Sequence, residues 1–177
     1  MANFLYVDNS NVWIEGKRLS AKIKSLNCDF DNDWIIDFGR LMEFAGGKDG
    51  DIAASYLFGS RPPKNDSLWS AAEKKGFTVK VEDRNIANKE KKIDTGIVTQ
   101  IMEDFYENAK KGDVFTLVAG DGDYVPMITK IKSKGFIFDV VFWDSASQEL
   151  KDIASNFISM DQYIDYFAKA PKESINQ

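Results

Sequence analysis

The residues best suited to chemistry in this sequence are aspartates that stand at or beside the ends of apolar segments. The candidate set is Asp8, Asp94, Asp121 and Asp123. Carboxylates held close together raise one another's pKa unless a cation lies among them. Mg²⁺ and Mn²⁺ prefer oxygen ligands and keep several waters, so these acids predict a site for one of the two ions. Such an ion lowers the pKa of a bound water for attack on a phosphodiester and stabilises the departing oxygen.

Each aspartate also has a purely structural interpretation. Asp8 and Asn11 could shape a turn or cap a helix that starts near Val12. Asp94 could be the N-cap of its helix, and Asp123 could cap the helix that follows it. Side-chain caps of this kind are common, so both interpretations stay open for each residue at this point.

The composition excludes several kinds of catalytic site. The 177 residues contain no histidine and one cysteine. A Ser-His-Asp triad, a Cys-His pair and a histidine-ligated zinc are therefore impossible. Any catalysis must use carboxylates, lysine, hydroxyl groups or a metal held by oxygen. Cys28 has no partner for an internal disulfide, which fits a reducing environment, and we expect its side chain to be buried.

Charge and hydropathy limit the possible partners and location. The chain has 23 basic and 28 acidic residues and a formal charge of −5, which argues against coating long nucleic acid through bulk charge. The longest segment without a charged residue, Ile52–Ser60, is far shorter than the roughly 18 residues of a membrane span. We expect a cytoplasmic protein without a membrane partner, with one domain over residues 1–170 and a flexible tail over residues 171–177.

Apolar runs alternate with helical periods along the chain, which predicts an α/β fold of three α/β/α layers with a mainly parallel central sheet. The predicted strands are Phe4–Val7, Ile52–Phe58, Phe77–Val81, Val114–Ala119 and Phe136–Trp143. The predicted helices are Trp34–Ala45, Leu68–Lys75, Ile93–Phe105, Val125–Lys134, Gln148–Ala154 and Gln162–Lys169. A long polar loop is expected over Arg84–Lys92. Ligands bind beyond the carboxyl ends of parallel strands, which is where Asp8, Asp121 and Asp123 would meet.

Three short segments carry a resemblance to a known family. They are residues 7–12 (VDNSNV), 92–94 (KID) and 118–126 (VAGDGDYVP), supported by residues 145–150 and by ASNFI at 154–158. Together they resemble the NYN domains of the PIN-like nuclease superfamily, including the bacterial LabA-like group. The resemblance covers roughly residues 4–163. Tyr124 stands where relatives more often have phenylalanine, and Ser155 where many have aspartate.

The resemblance implies a PIN-like domain that cleaves RNA with Mg²⁺ or Mn²⁺ as its cofactor. It implies metal ligation and catalysis by Asp8, Asp94, Asp121 and Asp123. Asn11 would support the substrate or a metal-bound water, and Ser145 would lie at the edge of the cleft.

Basic and aromatic residues near the predicted site are candidates for binding RNA. Arg61 and Lys64 follow the second predicted strand, and Lys92 precedes Asp94 in the sequence. They would form a positive rim around a negative centre, which suits a phosphate backbone. A solvated charged loop is the alternative interpretation. Trp13 is the better candidate for stacking on a base, whereas we expect the aromatic residues Tyr56, Phe58 and Trp69 in the core.

The leading hypothesis is a metal-dependent ribonuclease that uses in-line attack of water without a covalent intermediate. The alternative is a module of the same fold that binds RNA or a protein without cleaving it. A haloacid-dehalogenase-like phosphatase is disfavoured because Ser10 stands where that chemistry needs an aspartate. A phosphate-loop nucleotidase is disfavoured because its glycine-rich motif is absent. A homodimer is possible, but the sequence does not indicate which surface it would use.

Overall fold

A computed structural model describes residues 1–47, 51–61, 67–83 and 89–170. Within these ranges, six strands form one sheet in the order β3-β2-β1-β4-β5-β6, and every pairing is parallel. The strands are β1 (Asn3–Asp8), β2 (Ile52–Arg61), β3 (Thr78–Asp83), β4 (Val114–Val118), β5 (Ile137–Phe142) and β6 (Phe157–Ser159). The first five match the predicted strands, and β6 is an additional short edge strand.

Helices cover both faces of the sheet and complete the three layers. They are α1 (Asn9–Ile23), α2 (Phe38–Gly46), α3 (Ser67–Glu73), α4 (Lys89–Glu107), α5 (Val125–Lys132), α6 (Gln148–Ile153) and α7 (Ile164–Phe167). Short 3-10 helices span Gly122–Tyr124 and Asp161–Tyr163. One face packs against α1, α2, α3 and α7, and the other against α4, α5 and α6. The predicted α/β class with a parallel central sheet is therefore confirmed.

The central strands are apolar throughout because both of their faces are buried. In β1, Leu5 and Val7 belong to the core beneath α1 and α2, whereas Phe4 and Tyr6 belong to the core beneath α4 and α5. On the second face, Phe115 stacks on Phe4 with 5.3 Å between ring centroids. Burying an aromatic or aliphatic side chain of this size contributes about 1.5–3 kcal/mol. The two cores therefore hold the ends of β1 and β4 firmly in place.

The strand order creates a crevice between β1 and β4. From β1 the chain proceeds to β2 and β3 on one side, and then returns to β4, β5 and β6 on the other. The connections leaving β1 and β4 thus turn away from each other at the carboxyl edge of the sheet. Such a switch point is the usual ligand site of an open parallel sheet. Asp8 and the segment that follows β4 lie at this point.

Several local expectations are wrong. Helix α4 begins at Lys89, because lysine and glutamate are good helix formers and extend it into the expected loop. Residues 84–88, the rest of that loop, and the predicted tail 171–177 lie outside the described residues. The predicted helix Gln162–Lys169 is a 3-10 helix followed by the short α7. Cys28 is exposed, because it lies in an irregular segment after α1 rather than in a packed element.

Candidate metal centre

Asp8 is the last residue of β1 and the N-cap of α1. Its Oδ1 accepts a hydrogen bond from the backbone N–H of Asn11 at 3.1 Å, so the capping interpretation is correct for this oxygen. The side chain is only 4% exposed. Burial, together with the charges of Asp94 and Asp121, raises the pKa of this carboxyl to about 6, although backbone hydrogen bonds from Asn11 and Ser10 lower it. Asp8 is therefore both a cap and a member of a group of interacting carboxylates.

Asp121 organises the segment that follows β4. It is the N-cap of the 3-10 helix Gly122–Tyr124, and its Oδ1 accepts a hydrogen bond from the backbone N–H of Asp123 at 3.0 Å. Helix α5 then begins after Tyr124 without a side-chain cap. The capping residue in this segment is therefore Asp121 and not Asp123, because the 3-10 helix Gly122–Tyr124 precedes α5. Asp123 is exposed and points its carboxylate toward that of Asp121 and a third acid.

That third acid is Asp94, which lies in the second turn of α4 and is not its N-cap. One carboxylate oxygen each from Asp94, Asp121 and Asp123 lies within 4.8 Å of the other two. Adjacent ligands of an octahedral Mg²⁺ are about 3 Å apart, so the three oxygens would move closer together to coordinate one ion directly. Hard anionic oxygens are the ligands that Mg²⁺ and Mn²⁺ prefer. The chemistry of this donor set therefore fits the implied ion.

Asp8 lies outside this group of three oxygens but close enough for its charge to interact with two of them. The acid cluster, as we name it from here on, consists of Asp8, Asp94, Asp121 and Asp123. Its members come from β1, from α4 and from the segment after β4. The fold thus brings together the four aspartates of the sequence-based candidate set, with Asp8 at the buried side.

Tyr124 is the residue of this site that the sequence did not reveal as a polar partner. Its side chain is 0% exposed, and its hydroxyl donates a hydrogen bond to Oδ1 of Asp94 at 2.8 Å. Burial raises the pKa of the phenol, and the charges of Asp8, Asp94 and Asp121 raise it further. The hydroxyl therefore stays protonated and remains a donor at neutral pH. The sequence did contain one signal of this hydrogen bond, because a tyrosine stands where relatives more often have phenylalanine.

A cleft of about 430 Å³ opens beside the acid cluster. It is lined by Asn11, Glu15, Arg18, Gly120, Asp121, Gly122, Phe142, Ser145 and Ser147. Asn11 also ties α1 to the segment after β4, because its Oδ1 accepts a hydrogen bond from the backbone N–H of Gly120 at 3.3 Å. Ser145 lies at this cleft, where the resemblance places it. A volume of a few hundred cubic ångströms is typical of ligand sites.

Gly120 is required by the packing of the cleft wall. A Cβ at this position would lie 2.3 Å from the ring of Phe142. That separation is far inside a normal contact, so any larger residue would displace the ring or the backbone that leads to Asp121. The glycine thus serves a close approach between β4 and β5, rather than a backbone conformation unique to glycine.

Three polar residues of the cleft, Glu15, Arg18 and Ser147, were not predicted from the sequence. Arg18 lines the cleft and forms an ion pair with Glu15 one turn earlier on α1. Because Asn11, Glu15 and Arg18 are spaced by four and three residues, helical periodicity was the signal that could have found them. Ser147 is the N-cap of α6, and its backbone N–H donates to the carbonyl oxygen of Gly120 at 2.9 Å.

Of the predicted RNA-binding residues whose side chains the structure describes, Ser145 lines the cleft and Trp13 does not. Lys64 lies outside the described residues, as do the side chains of Arg61 at the end of β2 and Lys92 in the first turn of α4. Trp13 is 40% exposed, but Nζ of Lys17 lies 4.3 Å from the centroid of its ring, and Trp13 does not line the cleft. Phe58 and Trp69 are buried as expected, and Tyr56 is half-buried.

Comparison with known proteins agrees with the fold. No curated protein matches the chain. A solved structure of a protein of unknown function from Vibrio parahaemolyticus is similar, with a TM-score of 0.67 and 17% identity over 95% of this chain and 96% of that chain. Among the described residues, no helix has the length and apolar character needed to cross a membrane. A family model for the NYN domain matches residues 9–161, which include all but the first of the four aspartates. The chain therefore belongs to the NYN domain family, a member of the PIN-like superfamily with a nuclease-type fold.

Proposed function

We propose that this protein is a metal-dependent ribonuclease that hydrolyses phosphodiester bonds of RNA with Mg²⁺ or Mn²⁺ at the acid cluster. The observation that carries the proposal is the convergence of carboxylate oxygens from Asp94, Asp121 and Asp123 within 4.8 Å of one another. They meet at the carboxyl edge of a parallel sheet, at the point where its strand order reverses. Membership of the NYN family supports a nuclease over other metal-dependent activities.

In this proposal, Asp94, Asp121 and Asp123 hold the ion. When bound, the ion supplies a water of lowered pKa and stabilises negative charge on the phosphate oxygens. Asp8 contributes a fourth negative charge from the buried side. Without a cation, the other acids and burial favour its protonated form, whereas a nearby positive charge favours the carboxylate.

The cleft beside the acid cluster suits a phosphate backbone better than an apolar ligand. The hydroxyl group of Ser145 and the guanidinium of Arg18, which is paired with Glu15, lie along its walls. Arginine offers several donors in a planar arrangement that matches phosphate oxygens. Asn11 fixes the floor of the cleft through its bond to Gly120. These residues would orient the phosphate backbone of the RNA in front of the carboxylates of the acid cluster.

The test is incubation of the full chain with end-labelled single-stranded RNA in Mn²⁺, in Mg²⁺ and in excess chelator. We expect shorter products in the presence of either metal and intact RNA with chelator. A gel-shift measurement on the same samples reports binding separately from cleavage. Retained but uncut RNA in all metal conditions would favour the RNA-binding module, and RNA that is neither bound nor cut would contradict both functions.

A further inference from the structure

Tyr124 joins the two elements that supply the candidate metal ligands. It follows Asp123 directly in the chain, and its hydroxyl reaches Asp94 on α4 across 2.8 Å. Its ring is fully buried in the core beneath α4 and α5, together with Ile93 and Ile97 of α4. The hydroxyl therefore has a fixed position, set by packing rather than by the acids themselves.

A fixed donor matters at this place because the carboxylates repel one another. Asp94 is half-buried, and one of its oxygens lies within 4.8 Å of oxygens from both Asp121 and Asp123. Coulomb repulsion alone favours rotamers that turn these groups apart. A hydrogen bond to Oδ1 of Asp94 opposes that rotation. It also leaves lone pairs of the carboxylate for a cation, because each oxygen has more than one acceptor site.

We propose that Tyr124 is a positioning residue, whose hydroxyl holds the carboxylate of Asp94 in the orientation that shares a divalent ion with Asp121 and Asp123. The inference rests on the proposed function, because it needs the same ion. It assigns Tyr124 no contact with the substrate. Partners that orient metal ligands through a hydrogen bond typically change metal affinity by 10–100-fold when they are removed.

The test is a Mn²⁺ titration of the full chain at pH 7.5, in which electron paramagnetic resonance reports the free ion. We expect Tyr124→Phe to weaken Mn²⁺ binding about tenfold relative to the wild type. The same substitution in an Asp94→Ala background should produce no further loss, because the group through which Tyr124 acts is then absent. An unchanged affinity in Tyr124→Phe, or an equal loss in the Asp94→Ala background, would overturn the positioning role.

Tyr6→Phe is the matched control. Tyr6 is equally buried, and its hydroxyl donates to Asp104 at the same distance of 2.8 Å, but that pair lies away from the acid cluster. We expect Tyr6→Phe to lower the unfolding temperature and to leave the Mn²⁺ affinity unchanged. If it weakens Mn²⁺ binding as much as Tyr124→Phe does, the effect reports general stability and the proposal fails.

The same titration separates this inference from the proposed function. A wild-type protein that binds no Mn²⁺ contradicts both. Binding that disappears in Asp121→Asn but is unchanged in Tyr124→Phe leaves the metal centre in place and overturns only the positioning role. If Asp94→Ala abolishes binding altogether, the contrast between Tyr124→Phe and Tyr6→Phe decides the question by itself.

Discussion

Two buried tyrosine–aspartate pairs lie on the same face of the sheet and differ in what surrounds the carboxylate. Tyr6 and Tyr124 are both 0% exposed, and each donates to an aspartate of α4 across 2.8 Å. Asp104, the partner of Tyr6, is 1% exposed and also accepts hydrogen bonds from side-chain amides of Gln100 at 3.2 Å and Asn108 at 2.8 Å. Donors from three side chains thus compensate the buried acid.

Asp94 differs from Asp104 in having other carboxylates close to it. Its neighbours at the cleft are the carboxylates of Asp121 and Asp123, and the buried Asp8 adds a further interacting charge. Like charges at such separations cost free energy in the folded state, whereas a satisfied polar network stabilises and orders its surroundings. The Tyr6–Asp104 pair thus belongs to a hydrogen-bonded network, whereas the Tyr124–Asp94 pair lies beside other carboxylates.

This difference is what we expect between an acid that supports the fold and one that serves the proposed metal centre. Asp8 and Asp121 also cap helices, but the mutual repulsion of four carboxylates at one edge of the sheet opposes folding. Strained or charge-dense arrangements persist mainly where activity requires them. The comparison therefore predicts that changes at the acid cluster alter activity more than stability, and that changes at the Tyr6–Asp104 pair do the reverse.

The largest effect is expected for Asp121→Asn. Loss of a direct ligand should reduce RNA cleavage in Mn²⁺ more than about a hundredfold, because even indirect partners of a metal cost 10–100-fold. Asparagine keeps the capping geometry, so the free energy of unfolding without metal should stay the same or rise as repulsion falls. Single-turnover cleavage and urea denaturation measure the two quantities.

Asp165→Asn is the matched control for that experiment. Asp165 is exposed on α7, in the layer of helices on the opposite face of the sheet from α4. The substitution makes the same chemical change and the same change in net charge. We expect its cleavage rate to equal that of the wild type. Equal rates in Asp121→Asn and the wild type would contradict the site assignment.

Asp104→Ala tests the structural side of the comparison. Removing the carboxylate leaves the buried hydroxyl and amide donors without their acceptor, which should lower the free energy of unfolding by about 2–4 kcal/mol. Mn²⁺ affinity of the folded protein should not change. Urea denaturation followed by Mn²⁺ titration below the transition checks both statements. A variant as stable as the wild type, or one with weakened Mn²⁺ binding, would show that the two pairs are not independent.

The pH dependence of the free energy of unfolding should reveal the raised pKa of Asp8. The pKa of Asp8 is raised to about 6 from its ordinary value of 3.8, so the folded state holds the proton more tightly than the unfolded state does. The stability from protonated Asp8 is fully present below about pH 3.8 and is lost as the pH rises through about 6. When the pH rises from 4.5 to 7.5 without metal, we expect ionisation of this residue to lower the free energy of unfolding by on the order of 2 kcal/mol.

Asp8→Asn isolates that contribution, because asparagine also caps helices well and does not titrate. The loss of unfolding free energy between the two pH values should be larger in the wild type than in Asp8→Asn. Other acids shift the other way: hydrogen bonds from Lys24 and Ser20 lower the pKa of Asp31 to about 2. Only the difference between the two proteins is therefore diagnostic. Parallel pH curves would contradict the raised pKa of Asp8.

Much of the site could be predicted because its acids are tied to strand ends. Asp8 is the last residue of β1 and Asp121 lies three residues after β4, and parallel strands bring such residues to one edge of the sheet. The order of the strands, which places β1 beside β4, is a long-range property that apolar runs do not encode. The structure supplies it.

The remaining features depend on contacts between distant segments. The bond from Tyr124 to Asp94 joins residues 30 apart in the chain and exists only because α4 packs beside the segment after β4. The start of α4 at Lys89 was missed because a run of charged residues is typical of a loop as well as of an exposed helical turn. Neither periodicity nor composition distinguishes a charged loop from an exposed helical turn.

The smallest predicted effect is the difference in stability between Tyr6→Phe and Tyr124→Phe. Both substitutions keep the aromatic ring, so the loss of unfolding free energy reports the hydroxyl alone. At position 6 the stacking on Tyr56, with 5.5 Å between ring centroids, is preserved. Asp104 is sealed from solvent, and losing one of its donors should cost about 1.5 kcal/mol. Asp94 is half-buried, so water can replace the missing donor and the cost should be smaller. Urea denaturation without metal measures both values. A greater loss in Tyr124→Phe would mean that the bond to Asp94 supports the fold more than the ion, which would reverse the comparison between the two pairs.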